Sequence, residues 1–147
     1  MKENLILLHG ALGSQAQLVE LKVILEDEFN VYILDFSGHG GLEYEGAFSI
    51  DLFVKDTIQL MDRHQLPVAH IFGYSMGGYV ALQLAHDHPG RAVKIITLGT
   101  KYSWNPEAAA KEVRMMNPDV IEQKIPAFAA TLKARHQPSN WKNIMNR

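Results

Sequence analysis

The sequence predicts an α/β protein in which helices flank a parallel β-sheet. Short apolar runs alternate strictly with stretches of helical periodicity over the first hundred residues, and such alternation indicates right-handed βαβ units. The 147 residues are 47% hydrophobic and 20% charged, as is typical of a globular domain. One compact domain is therefore expected.

Four apolar runs predict the strands. They lie at residues 5–8, 31–34, 68–72 and 93–98. A strand that is buried on both faces of a parallel sheet is apolar nearly throughout. Glycine-containing loops or turns follow the first, second and fourth runs, and mark their ends.

Helices are predicted over residues 15–26, 50–64 and 76–88 from the spacing of their apolar residues. In the first helix these residues are Leu18, Leu21, Val23, Ile24 and Leu25. After Gly99 the pattern changes to four short helices, at 106–116, 118–123, 125–136 and 138–145, each near a proline. We therefore divide the chain into an α/β core (residues 1–100) and a helical segment (residues 101–147), with no further strand.

The composition argues against several classes of function. The net charge of −2 with interspersed signs gives no basic stripe for nucleic acid. The chain has no cysteine, which excludes disulfides and thiolate metal sites. No apolar run is long enough for a membrane span or a signal peptide, so we expect a cytoplasmic protein.

The strongest motif is Gly73-Tyr74-Ser75-Met76-Gly77, which lies between the third strand and the third helix. A G-x-S-x-G turn in this context predicts a nucleophile elbow, a tight turn that exposes a reactive serine at the head of a helix. The flanking glycines suit it because side chains would not fit there. Ser75 is therefore the candidate catalytic nucleophile.

A second loop, His9-Gly10-Ala11-Leu12, follows the first strand. If the strand order is second, first, third, fourth, this loop and the elbow flank the crevice where parallel sheets bind ligands. The backbone amides of Met76 and Ala11 would then form an oxyanion hole, with Leu12 as the alternative to Ala11.

Three segments, at residues 7–14, 35–40 and 73–78, together resemble the α/β-hydrolase superfamily, in its single-domain, esterase-like branch with a helical cap. The resemblance covers residues 4–100 and implies that the helical segment is the start of that cap. It also implies that a catalytic Asp or Glu and a catalytic His follow later strands, which this chain lacks. The chain is therefore expected to be incomplete as an enzyme.

No residue in the chain convincingly replaces those partners. The resemblance implies structural roles for His9 and His39, while His136 would reach Ser75 only through the docking of the cap, and Glu107 is a weak candidate for the acid. The remaining histidines lie at helix ends or in the third strand. The residues that we expect near a substrate pocket are His9, Leu12, Tyr74, Trp104, Met116 and Phe128, with Trp141 also considered.

The expected function is hydrolysis of a carboxylic ester or thioester through an acyl-enzyme on Ser75, without metal or cofactor. One alternative is a non-catalytic, receptor-like protein that binds a small molecule. Another is an inactive fragment of the enzyme. In that case the fourth strand would be an exposed apolar edge that favours self-association or pairing with a complementing chain.

Overall fold

A computed structural model, which describes residues 1–147, contains one four-stranded parallel sheet in the order β2-β1-β3-β4. This confirms the predicted fold class and strand order. The strands are β1 (Glu3–Leu8), β2 (Phe29–Ile33), β3 (Ala69–Tyr74) and β4 (Ala92–Leu98). No helix combines the length and apolarity that a membrane span needs.

The helices lie close to their predicted positions. A 3-10 turn (Gln15–Leu18) leads into α1 (Val19–Leu25), followed by α2 (Ile50–Arg63), α3 (Met76–Asp87), α4 (Pro106–Met115), α5 (Pro118–Lys124), α6 (Pro126–His136) and α7 (Trp141–Met145). The first helix is therefore shorter than predicted, and the last begins three residues late. It starts at Trp141 because Asn140 caps it by accepting a hydrogen bond from the Lys142 amide at 3.0 Å.

The main core lies between the sheet and helices α2 and α3. Ile6 and Leu8 of β1 and Ile71 of β3 face this side. The helices contribute seven buried residues, Phe53, Val54, Leu60 and Met61 from α2 and Val80, Ala81 and Leu84 from α3, and the loop after β2 adds Phe36. This cluster fixes α3, and with it the turn that precedes α3, against the centre of the sheet.

The opposite face is covered only by α1. Leu18 packs on Leu5, Leu7 and Val31, but the prediction that Val23 and Ile24 belong to the apolar face is wrong, because they are 61% and 71% exposed. Residues 18, 21 and 25 follow helical spacing, and positions 23 and 24 point away from that face.

Strand β4 is left uncovered on this side and along its outer edge. Ile96 and Leu98 are 65% and 57% exposed, and Ile96 lines a groove of about 400 Å³ together with Phe72, Leu25 and Phe29. A contiguous apolar surface of this kind is unusual on a monomer.

The helical segment has a small core of its own, formed by helices α5 to α7. Its buried residues are Ile121, Ala129, Leu132, Trp141 and Ile144, and Leu12 from the loop after β1 completes the cluster. Helix α4 contributes no buried residue. The core of the segment therefore includes Leu12 of the α/β part but no residue of α4.

Replacement of Met61 by Ala tests the main core. Met61 is fully buried, so Met61→Ala should lower the free energy of unfolding by about 2–5 kcal/mol. The matched control Val23→Ala, at the exposed position on α1, should change it by less than about 0.5 kcal/mol. Urea unfolding followed by circular dichroism measures both, and equal losses would contradict this assignment of the core.

Candidate active site

Ser75 lies in a strained turn between β3 and α3. Its φ and ψ angles are 50° and −111°, which a residue with a side chain adopts only when its surroundings hold it there. The Ser75 amide donates to the Leu98 carbonyl at 2.8 Å. The Ser75 carbonyl accepts from the Gly78 amide at 3.0 Å and from Thr100 Oγ1 at 2.8 Å.

The glycines around Ser75 are required by close backbone contacts. A Cβ atom at Gly73 would lie 2.4 Å from the Gly77 carbonyl oxygen, and one at Gly77 would lie 2.5 Å from the carbonyl oxygen of Leu8. Neither backbone group could move aside without disrupting the turn. The geometry is that of a nucleophile elbow, and we use this name for residues 73–77.

The loop after β1, residues 9–13 (the β1 loop), meets the elbow. A Cβ atom built on Gly10 would lie only 3.2 Å from Ser75 Cβ and 3.0 Å from the Tyr74 ring. The Gly13 amide donates to the Gly10 carbonyl at 3.0 Å and closes the turn, and Leu12 has a positive φ of 57°. The two loops predicted to flank one crevice are therefore in contact.

His9 holds the β1 loop from beneath. The ring is 1% exposed. Its Nδ1 lies 2.8 Å from the Gly10 carbonyl oxygen, and its Nε2 accepts from the Phe36 amide at 3.2 Å. A carbonyl requires a donor and an amide requires an acceptor, so His9 is the neutral tautomer protonated on Nδ1. Burial, the largest cause, lowers its pKa to about 3.

Two further histidines continue from His9 towards the helical segment. The ring centroids of His9 and His39 are 5.2 Å apart, and those of His39 and His136 are 5.9 Å apart. Burial is also the largest cause that lowers the pKa of His39 and of His136. We call His9, His39 and His136 the histidine column.

Residues 3–139 match the sequence model of a protein family that is described as having the alpha/beta hydrolase fold. The chain belongs to this family. In this α/β hydrolase, the elbow and the β1 loop follow the carboxyl ends of two neighbouring strands, β3 and β1.

Two bacterial relatives illustrate the family. Over 95 residues the chain is 30% identical to a putative carbamate hydrolase, RutD, from Variovorax paradoxus, covering 62% of this chain and 36% of the relative. Over 135 residues it is 26% identical to a pimeloyl-[acyl-carrier protein] methyl ester esterase from Vibrio cholerae, covering 89% and 50%. The chain thus spans half or less of these relatives.

Solved structures show the same fold. NosK from Streptomyces actuosus superposes with a TM-score of 0.85 at 19% identity, covering 99% of this chain and 63% of NosK. Essentially the whole of the α/β hydrolase chain described here, including its helical segment, follows a known arrangement.

The residues expected near the pocket occupy three kinds of environment. Tyr74 is 46% exposed beside the elbow, whereas His9 and Leu12 are buried and offer little side-chain surface to a ligand. Trp104, Met116 and Phe128 are 49%, 43% and 38% exposed, while Trp141 is 4% exposed inside the helical segment. Trp104 is held by hydrogen bonds from Nε1 to Tyr79 Oη at 2.8 Å and to the Lys101 carbonyl at 3.1 Å.

None of the seven histidines hydrogen-bonds to Ser75. The structural roles expected for His9 and His39 agree with their bonds to backbone carbonyls. His136 binds the Gly40 amide and the Leu12 carbonyl, and His70 pairs with Glu3. Glu107 is exposed in the first turn of α4. No three His, Asp or Glu side chains, those of the histidine column included, are arranged so that they could hold a metal ion.

Two residues that contact the site region, Thr100 and Arg135, were not predicted from the sequence. Thr100 bonds the Ser75 carbonyl, and Arg135 bonds the Leu12 carbonyl. No local pattern marks either residue, because each contact depends on how distant parts of the chain pack.

The pH dependence of the free energy of unfolding tests whether His9 is buried and neutral in the folded protein. The unfolded chain binds a proton at His9 below pH 6.5, whereas the folded chain does so only near pH 3. Stability therefore falls as the pH drops through this window, by up to about 1.4 kcal/mol per pH unit from this group.

In His9→Gln this contribution is removed, so the loss of stability between pH 6.5 and 4.5 should be smaller than in the wild type. Urea unfolding at several pH values measures the slope. His86→Gln, at an exposed site on α3, is the control and should leave the slope unchanged. A wild-type slope in His9→Gln would show that His9 is not held neutral.

Proposed function

We propose that Ser75 is the nucleophile of a serine hydrolase that acts on a carboxylic ester or thioester. The observation that carries this proposal is the strained backbone of Ser75 at a strand-to-helix turn, with φ of 50° and the β1 loop in contact. Strain of this kind persists where function requires it. Membership of the α/β hydrolase family supports the same role.

The proposed oxyanion hole consists of the amides of Met76 and Ala11. Met76 is the first residue of α3, so its amide has no carbonyl partner within the helix and shares the positive end of the helix dipole. Ala11 is exposed at the tip of the β1 loop, next to Gly10. Two amides aimed at one oxygen stabilise a tetrahedral anion by about 3–4 kcal/mol per donor.

The proposed reaction runs in two steps. Ser75 Oγ bonds to the acyl carbon while its proton passes to a histidine base, and the same proton then goes to the departing alcohol or thiol as its bond to the acyl carbon breaks. Water repeats the sequence on the acyl-enzyme and restores the Ser75 hydroxyl. Because none of the histidines of this chain hydrogen-bonds to Ser75, we infer that the base and its supporting carboxylate come from chain beyond residues 1–147.

The proposed substrate class rests on the relatives and on three exposed aromatic side chains. The Vibrio cholerae relative is named as a methyl ester esterase, and a thioester undergoes the same acyl chemistry as an ester. Tyr74 beside Ser75, and Trp104 and Phe128 in the helical segment, are exposed aromatic residues, which suits an apolar acyl or alcohol group.

A fluorophosphonate, which traps an activated serine, tests the nucleophile. We expect one adduct by intact mass, formed slowly because the base is absent, and sustained by the oxyanion hole alone. Free imidazole should accelerate its formation several-fold by acting as the missing base.

Ser75→Ala should abolish the adduct, whereas Ser103→Ala, at an exposed serine, should leave it unchanged. An adduct that persists in Ser75→Ala, or no adduct with imidazole present, would overturn the assignment. A rapid adduct that imidazole does not accelerate would show that the chain already contains a base.

We also propose that additional chain covers β4. The outer edge of β4 has no partner strand, and Val93, Ile96 and Leu98 are at least half exposed. NosK superposes on 99% of this chain, and more than a third of NosK lies outside the matched part. A continuation of the sheet that carries the base and the acid is the occupant that fits both observations.

Without that covering, the 147-residue chain should self-associate through β4. Sedimentation velocity should show concentration-dependent dimers or larger species, which Ile96→Lys should reduce by placing charge on the bare surface. Val113→Lys, at a 73% exposed apolar site on α4, is the matched control and should have no effect. A monodisperse monomer at all concentrations would contradict the proposal.

A further inference from the structure

We propose that helix α6 positions the oxyanion hole, with Arg135 and His136 acting as positioning residues through the carbonyl of Leu12. This inference rests on the proposed function, because it concerns the same site. It adds that docking of the helical segment and formation of the oxyanion hole are a single event.

Leu12 is the point at which the β1 loop and the helical segment meet. Its positive φ of 57° is unfavourable for a leucine, so other contacts must hold it. The side chain is 8% exposed and packs in the core of the helical segment with Leu132 and Trp141. The conformation of the β1 loop therefore depends on a segment more than a hundred residues away.

The Leu12 carbonyl receives two hydrogen bonds from the end of α6. Arg135 Nη1 donates at 2.7 Å, and His136 Nε2 lies 3.1 Å from the same oxygen. Two donors, one of them charged, fix the plane of the peptide that follows Leu12. Ala11, whose amide is the proposed oxyanion donor, directly precedes Leu12, so α6 restrains the loop within two peptide planes of that N–H.

His136 also connects to the loop after β2. Its Nδ1 accepts from the Gly40 amide at 3.1 Å, which requires the neutral tautomer protonated on Nε2. The groups that face it are the His39 ring, Arg135 on its own helix, and Asp35 in the loop after β2. One imidazole thus joins three separate parts of the chain.

A competing interpretation is that these contacts only anchor the helical segment. Two isosteric variants separate the roles, because an amide side chain can replace either ring nitrogen. His136→Gln places an amide donor near the position of Nε2 and keeps the bond to Leu12. His136→Asn places an amide oxygen near Nδ1, keeps the bond from Gly40, and loses the bond to Leu12.

Arg135→Met provides a second test, because it removes the other donor from a half-buried position and does not depend on whether His136→Asn folds. Lys133→Met is its matched control. It removes the same charge from an exposed position on the same helix.

The experiment measures hydrogen exchange of two amides by NMR in the 147-residue chain. The Gly13 amide, which closes the β1 loop, should exchange about tenfold faster in His136→Asn and Arg135→Met. In His136→Gln and Lys133→Met its rate should stay within about twofold of the wild type. The Ser75 amide, bonded to Leu98, should not change in any variant. Equal acceleration of both amides would indicate general destabilisation and would overturn the proposal.

The rate of Ser75 phosphonylation in the presence of imidazole is the second readout. We expect it to fall about tenfold in His136→Asn and Arg135→Met only. Wild-type labelling in these variants, or an unchanged Gly13 amide, would overturn the positioning role. If the wild type does not label, the proposed function fails for this chain, and exchange at Gly13 still decides whether α6 positions the loop.

Discussion

The contact between the start of α3 and the end of β1 is the constraint on which the rest of the site depends. Gly77 lies so close to the carbonyl oxygens of Leu8 and His9 that a single methyl group would not fit between them. Because β1 and β3 are hydrogen-bonded neighbours in the sheet, this contact sets the β1 loop directly against Ser75. The proposed nucleophile and the proposed oxyanion donors are therefore fixed by backbone packing rather than by flexible side chains.

The histidine column connects the β1 loop to the helical segment. A neutral imidazole has one donor and one acceptor on opposite sides of a rigid ring, so it can join a carbonyl in one loop to an amide in another. His9 joins Gly10 to Phe36, and His136 joins Leu12 to Gly40. Burial keeps both rings neutral, since a charged form would lose its acceptor and its hydration together.

One face of the sheet is covered by helices, and the other is partly bare. Helices α2 and α3 bury one face, whereas α1 reaches only as far as the groove beside Phe72 and leaves Ile96 bare. This chain spans 36% and 50% of the two relatives described, and the bare face is the one that we propose additional chain to cover. The contacts of the elbow come from β1, β3, α3 and the end of β4, so it meets the uncovered strand only at its carboxyl end, through Leu98.

Local sequence was sufficient to predict the sheet, the strand order and the position of Ser75. The strands were predicted from short apolar runs, and the elbow from two glycines around a serine. Both signals depend only on neighbours within a few residues, and the structure places these elements as expected. The buried face of α1 was harder to predict, because aliphatic residues occupy both the buried and the exposed positions of this helix. Only the tertiary structure revealed what His136 and Arg135 do, since their partner Leu12 is 124 and 123 residues away in the chain. A hydrogen bond over such a separation leaves no periodicity or spacing in the sequence, and it forms only because the helical segment packs against the β1 loop.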